Sequence, residues 1–130
     1  MKPEELIEQA MLAMKKAYAP YSGYKVGAAL LCKDGTVYTG CNIENASFSP
    51  TVCAERTAIF KAVSDGQQDF TAIAICGGKD GVITDYSPPC GVCRQVMGEF
   101  CKADFLIYTA GKDGYRTQTL GQLLPFGFRL

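Results

Sequence analysis

Three cysteines and one glutamate, in two short segments of this 130-residue chain, form its clearest chemical pattern. Residues 51–56 read Thr-Val-Cys-Ala-Glu-Arg and supply Cys53 and Glu55, while residues 88–93 read Pro-Pro-Cys-Gly-Val-Cys and supply Cys90 and Cys93. A catalytic zinc ion takes three protein ligands and leaves its fourth tetrahedral position open, whereas a structural zinc ion is closed by four. The three cysteines therefore predict an open zinc site.

Glu55 is the candidate proton carrier of this site. It lies two residues after Cys53, which is too close in sequence for a comfortable second ligand but near enough to reach a water molecule on the ion. Zinc lowers the pKa of such a water toward about 7. A neighbouring carboxylate can accept the released proton and pass it to a substrate, so Glu55 is predicted to act as a general acid and base.

Two arginines are candidates to offset the charge of the site. Three thiolates around one zinc ion leave a formal charge of minus one before any hydroxide forms, which is unfavourable for making hydroxide. Arg56 follows the first ligand segment and Arg94 follows the second. A guanidinium hydrogen-bonded to a ligand sulfur would withdraw charge from behind the ligands, and we predict that role for both residues.

Other uses of the same cysteines stay open at this level. A Cys-x-x-Cys pair alone also occurs in thioredoxin-like redox sites and in structural zinc sites. A structural zinc module would need a fourth thiol, such as Cys41 or Cys101. A redox role would instead require Cys90 and Cys93 to be free of metal.

Composition narrows the class of protein further. Lysine plus arginine equals aspartate plus glutamate at 13 each, so no net field attracts nucleic acid or anionic lipid, and we expect a small neutral ligand. The sequence contains no histidine, which excludes Ser-His or Cys-His catalysis.

The acidic N-terminal segment argues against a signal peptide, and no apolar run is long enough to span a membrane, so a cytoplasmic protein is expected. Seven cysteines without an export signal favour free thiols and metal ligation over disulfides.

The order of predicted elements indicates one α/β domain covering residues 1–130. Helical periodicity predicts a helix from residue 3 to about residue 18, and a hairpin follows with strands at 26–32 and 37–42. Further helices are predicted at 51–63, from residue 90 and at 119–124, and further strands at 72–76, 105–108 and 115–117, with Gly77-Gly78 expected to end the strand at 72–76. A hairpin followed by alternating helices and strands predicts a mixed five-stranded sheet with helices on both faces, a three-layer α/β/α sandwich.

Nearly the whole chain resembles the small, homotetrameric, all-cysteine class of cytidine deaminases. The Cys-x-Glu and Pro-Cys-x-x-Cys pair is the established signature of zinc-dependent deaminases. The matching segments are Ala-Pro-Tyr-Ser at 19–22, Val-Gly-Ala-Ala-Leu at 26–30, Gly-Cys-Asn-Ile-Glu-Asn-Ala-Ser at 40–47, Cys-Ala-Glu-Arg-Thr-Ala at 53–58, Pro-Cys-Gly-Val-Cys-Arg-Gln at 89–95 and Leu-Leu-Pro at 123–125. The resemblance implies a cytidine deaminase-like fold in which the three cysteines hold one zinc ion per subunit and Glu55 shuttles protons.

The resemblance also implies how a nucleoside would be bound. Asn42 and Glu44 would bind the sugar, chiefly its 3'-hydroxyl, and the backbone of Ala54 would contact the base. Tyr24 stands where the family usually has a phenylalanine that lines the pocket, and it adds a hydroxyl there. Phe128 matches a C-terminal aromatic residue that stacks near the base in a neighbouring subunit's site, so a homotetramer would complete each active site.

The function implied is hydrolytic deamination of cytidine and deoxycytidine to uridine and deoxyuridine plus ammonia, in pyrimidine salvage. Deamination of another aminopyrimidine compound, such as the nucleoside antibiotic blasticidin S, is the alternative, and the Asn-Ile-Glu segment at 42–44 argues against it by favouring a free ribose. Editing of a polynucleotide is disfavoured by the balanced charge and the lack of a basic patch.

Overall fold

A five-stranded mixed sheet forms the centre of the computed structural model, which describes residues 1–130. Along the chain the elements are α1 (Pro3–Met14), β1 (Tyr24–Cys32), β2 (Val37–Cys41), α2 (Ala54–Ser64), β3 (Phe70–Lys79), α3 (Gly91–Phe100), β4 (Leu106–Gly111), β5 (Gly114–Thr119) and α4 (Leu120–Leu123). The strands are ordered β2-β1-β3-β4-β5 across the sheet. Only the pair β3 and β4 is parallel, and α3 lies in the connection between those two strands.

The central strands are buried on both faces, which explains their continuous apolar sequences. Successive side chains of a strand point to opposite faces. On β1 and β3 the larger side chains Leu30, Ile73 and Ile75 face one way and pack with α2 and α3. Small side chains such as Ala29 and Ala74 face the other way and pack with α1.

This division of side chains gives three layers, with α1 on one face of the sheet and α2 and α3 on the other. The buried apolar residues of α1 are Leu6, Ile7, Ala10, Ala13 and Met14. The second core contains Ala58 and Ile59 of α2 and Met97 of α3. The predicted α/β/α sandwich with a mixed five-stranded sheet is therefore confirmed. None of the helices has the length and apolar character needed to cross a membrane.

The predicted ends of the first helix and of the third strand are wrong for identifiable reasons. The first helix ends at Met14 rather than near Tyr18, because the backbone N–H of Tyr18 donates to the carbonyl of Asn42 in an isolated bridge region. The third strand continues through Gly77 and Gly78. Both glycines pair with β1, and a Cβ at Gly78 would lie only 1.8 Å from the carbonyl oxygen of Val82. Glycine at this position lets another backbone segment approach the strand closely and does not mark the end of the strand.

Candidate active site

Two helix N-termini bring the three cysteine sulfur atoms together. Cys53 is the N-cap of α2, and Cys90 is the N-cap of α3. The predicted start of the second helix at residue 51 is therefore three residues early. The reason is that Val52 is held extended, with its N–H and carbonyl paired to the backbone of Ile43. Cys93 is the third residue of α3, and the N-cap and third residue of a helix lie on the same side of its first turn.

The spacing of these sulfur atoms fits a zinc ion. Cys53 and Cys90 have their sulfur atoms 3.8 Å apart, and those of Cys90 and Cys93 are 3.5 Å apart. All three lie within 4.8 Å of one another. Tetrahedral zinc with bonds of about 2.3 Å to sulfur places its ligand atoms about 3.8 Å apart. Neither Cys41 nor Cys101 belongs to this group, so no fourth thiol closes the site.

The surroundings of Cys53 favour a thiolate. The nearby Cys93 thiol and the Arg56 guanidinium lower the pKa of Cys53 to about 5. The Arg56 Nη2 atom lies 3.4 Å from that sulfur. The pKa of Cys93 is raised by its pairing with the Cys53 sulfur and by burial.

Glu55 lines the same pocket as the thiols. It is the second residue of α2 and only 4% exposed. Burial raises the pKa of Glu55 to about 7, with a smaller contribution from the negative Cys53. The pocket has a volume of about 330 Å³ and is bounded by Tyr24, Val26, Asn42, Thr51, Val52, Cys53, Ala54, Glu55, Ile75, Tyr86, Ser87, Pro88 and Cys90. A cavity of this size suits a small molecule, and it presents the proton carrier next to the proposed metal.

Comparison with known proteins shows which family this chain matches. Residues 1–109 match the family described as the cytidine and deoxycytidylate deaminase zinc-binding region. A cytidine deaminase from Sporosarcina psychrophila is 48% identical over 129 residues, covering 98% of this chain and 92% of the relative. The chain belongs to the cytidine deaminase family. Zinc is accordingly its cofactor, and Cys53, Cys90 and Cys93 form the cluster that fits one ion per subunit.

Two further relatives agree with that family assignment. A cytidine deaminase from Halalkalibacterium halodurans is 49% identical over 129 residues, covering 98% of this chain and 95% of the relative. A crystal structure of cytidine deaminase from Burkholderia pseudomallei has a TM-score of 0.91 and 45% identity, covering 98% of this chain and 100% of the other. The fold that the resemblance implied is thus confirmed by a structure determined for a relative.

Of the five substrate contacts that the cytidine deaminase resemblance implied, three lie at the pocket and two do not. Tyr24, Asn42 and Ala54 line it. The Asn42 side chain bridges to β1, because its Oδ1 accepts from the N–H of Val26 at 2.8 Å and its Nδ2 donates to the carbonyl of Tyr24 at 2.8 Å. Glu44 lies outside the pocket lining, where its carboxylate is bound to the turn at residues 21–22.

The structure corrects the expectation for Arg94 and places Phe128 away from the pocket. The Arg94 guanidinium donates to the carbonyls of Pro89 at 2.8 Å and Leu123 at 3.0 Å, not to a sulfur atom. Arg94 therefore secures the residue before Cys90 instead of withdrawing charge from a ligand sulfur. Phe128 is 67% exposed and lines a separate groove beside the end of α3.

Sequence reasoning missed part of the wall opposite α2. Tyr86 and Ser87 line the pocket, yet they lie in a loop of mixed polarity with no periodicity or motif that marks them. Thr51 also lines the pocket, because it lies before α2 and not in its first turn as the sequence predicts. The nearest sequence signal was proximity to Cys90, since a loop entering a metal ligand must pass close to the metal.

Proposed function

We propose that this protein deaminates cytidine and deoxycytidine by hydrolysis, yielding uridine or deoxyuridine and ammonia. The observation that carries the proposal is the placement of Cys53, Cys90, Cys93 and Glu55 around one small pocket. The names of the relatives, which are cytidine deaminases, support this reaction over deamination of another ring. Residues 1–130 would act as one catalytic domain.

The reaction needs a nucleophile at C4 of the base and a proton at N3. Zinc, when bound by the three cysteines, supplies a Lewis acid that lowers the pKa of a water molecule in its open position. Glu55 accepts a proton from the attacking water and delivers it to N3, which makes C4 electrophilic. Glu55 then takes the second proton, from the hydroxyl newly bound to C4, and delivers it to the exocyclic amine. The C4–N bond breaks, the amine leaves as ammonia, and the oxygen of water stays as the new carbonyl. Arg56, which donates to the Cys53 sulfur, would moderate the negative charge of the ligand set.

Asn42, Glu44 and the backbone of Ala54 are proposed to bind the nucleoside. Oε1 of Glu44 accepts from the N–H groups of Tyr21 and Ser22 at 3.0 and 3.1 Å, and Oε2 accepts from the Ser22 hydroxyl at 2.5 Å. A carboxylate has about four acceptor positions, so one stays available for a sugar hydroxyl. These hydrogen bonds lower the pKa of Glu44, which keeps it an acceptor at neutral pH. Tyr24 would line the pocket beside the base or sugar.

Phe128 is proposed to act in a neighbouring subunit of a homotetramer. Its exposed ring does not reach the pocket of its own chain, which is compatible with a contact across a subunit boundary. Loss of Phe128 should then raise KM for cytidine without removing zinc. Light scattering that gave the mass of a monomer at assay concentration would contradict this part of the proposal.

We further place the protein in the cytoplasm, in pyrimidine salvage, because its products are free pyrimidine nucleosides.

The reaction is tested by following the ultraviolet absorbance of cytidine with zinc-loaded wild-type protein and with Glu55→Ala. Wild type should convert the cytosine spectrum to that of uracil. Glu55→Ala removes the proton carrier but no ligand, so it should keep its zinc and lose nearly all turnover. Turnover by a zinc-replete Glu55→Ala protein would contradict the role of Glu55. No turnover by zinc-loaded wild type would contradict the reaction itself.

A further inference from the structure

Tyr24 and Ser87 are joined by a hydrogen bond in the wall of the pocket. Tyr24 is the first residue of β1, and Ser87 lies in the loop between β3 and α3. Their hydroxyl oxygen atoms are 2.9 Å apart. Both residues line the pocket together with Glu55 and Cys90. The bond therefore connects the start of β1 to the segment that leads into the metal-binding helix.

Few other interactions hold that segment. Residues 85–88 make no hydrogen bond other than the one between Ser87 and Tyr24. Beyond its ends, the carbonyl of Thr84 accepts a long bond of 3.4 Å from the Lys112 N–H. The Tyr86 ring packs against the Arg116 guanidinium, whose carbon lies 4.0 Å from the ring centre. Beyond the other end, the Arg94 guanidinium donates to the carbonyl of Pro89 at 2.8 Å. Between these two anchors, the Ser87 hydroxyl makes the hydrogen bond that fixes the pocket wall.

The Tyr24 end of the bond is well anchored. Its N–H donates to the Ser22 hydroxyl at 3.0 Å, and its carbonyl accepts from the Asn42 side chain at 2.8 Å. It also pairs with Lys79 in the β1–β3 ladder. The same backbone groups tie Tyr24 to the turn that binds Glu44, since Ser22 donates to that carboxylate. Tyr24 therefore links the proposed sugar-binding residues to the opposite wall.

We propose that Tyr24 is a positioning residue whose hydroxyl holds Ser87 and thereby keeps the pocket wall at 85–88 in its binding-competent position. This inference rests on the proposed function where it is tested with cytidine. Without the bond, a smaller fraction of molecules has the wall in place before the substrate arrives, and apparent affinity falls by that fraction. One hydrogen bond limits the change to about 3- to 10-fold. The same wall serves bound substrate and transition state alike, so KM rises while kcat stays nearly constant.

A double-mutant cycle tests the proposal. Tyr24→Phe and Ser87→Ala should each raise KM for cytidine by about 3- to 10-fold with kcat within about twofold of wild type. The double variant should be no worse than the more affected single variant, because both changes remove the same bond. Ser87→Thr keeps the hydroxyl and should restore the wild-type KM. Tyr115→Phe removes a hydroxyl from an exposed tyrosine on β5 and serves as the matched control.

Two kinetic results would overturn the positioning role. The first is a double variant in which the separate KM effects of Tyr24→Phe and Ser87→Ala multiply. The second is a Tyr24→Phe protein whose KM equals that of wild type. Chymotrypsin cleavage after Tyr86 gives a second readout that needs no turnover. Cleavage should be faster in Tyr24→Phe than in wild type and unchanged in Tyr115→Phe. If wild type fails to deaminate cytidine, the proposed function fails, and equal cleavage after Tyr86 in wild type and Tyr24→Phe would then separately overturn the positioning role.

Discussion

Gly40 lies where β2 passes beneath α2, and replacing it with alanine should disturb the metal site directly. A Cβ at this position would lie 2.5 Å from the carbonyl oxygen of Ala54 and 2.6 Å from the N–H nitrogen of Ala58. Both atoms belong to the backbone of α2, which cannot rotate away as a flexible side chain can. Ordinary contact begins near 3.4 Å, so the first turns of α2 must move outward by about 1 Å in a close-packed interior.

The displaced helix carries Cys53 and Glu55, whereas Cys90 and Cys93 stay with α3. Zinc sites tolerate deviations of only about 0.2 Å in their ligand distances, and a misplacement of 1 Å near a reaction can cost about 10²-fold in rate. Gly40→Ala should therefore lower kcat/KM for cytidine by about 10²-fold and weaken zinc binding. It should also reduce stability by about 1–3 kcal/mol through overpacking.

The assay compares kcat/KM, zinc affinity by chelator competition and thermal unfolding for Gly40→Ala and Gly98→Ala. Gly98 is the matched control, because its new Cβ would meet only the end of the Leu124 side chain, at 2.9 Å. That side chain can rotate, so Gly98→Ala should keep activity and zinc affinity within about twofold of wild type. A folded Gly40→Ala protein with wild-type zinc affinity and kcat/KM would refute the claim that β2 sets the position of α2.

Two further predictions concern the thiols. Arg56→Ala removes the guanidinium that donates to the Cys53 sulfur and should weaken zinc binding by about 10- to 100-fold. Chelator competition measures this, and an unchanged zinc affinity would exclude a role for Arg56 in supporting the Cys53 ligand. After zinc removal, the exposed Cys90 should react with iodoacetamide at pH 8, whereas Cys76 and Cys101 should not, because burial raises their pKa values to about 11 and about 12. Mass spectrometry of the alkylated peptides decides this, and equal labelling of Cys76 and Cys90 in folded protein would contradict it.

The layers of the fold could be predicted from the sequence, because strands that are buried on both faces have continuous apolar sequences. Continuous apolar runs in β1 and β3 require cover on both sides, and the periodic helices between the strands supply it. Helix and strand ends were less predictable, since they depend on distant partners. Tyr18 leaves α1 to pair with Asn42, and Gly77-Gly78 remains in β3 because β1 pairs with it.

The metal cluster was predictable from residue type and spacing, whereas its surroundings were not. Cys90 and Cys93 meet because of helix geometry alone, which sequence spacing encodes. The direction taken by a long side chain is not encoded in this way. Arg56 reaches a sulfur atom and Arg94 reaches backbone carbonyls, although each follows a ligand segment. The bond from Tyr24 to Ser87 spans 63 positions in the chain, and no local pattern announces it.

X-ray absorption at the zinc edge of the purified holoprotein tests the open site most directly. Ligation by Cys53, Cys90 and Cys93 with a free fourth position predicts three sulfur atoms at about 2.3 Å and one lighter atom. A shell of four sulfur atoms would mean that another cysteine closes the site. That result would contradict a catalytic zinc centre and favour a structural one.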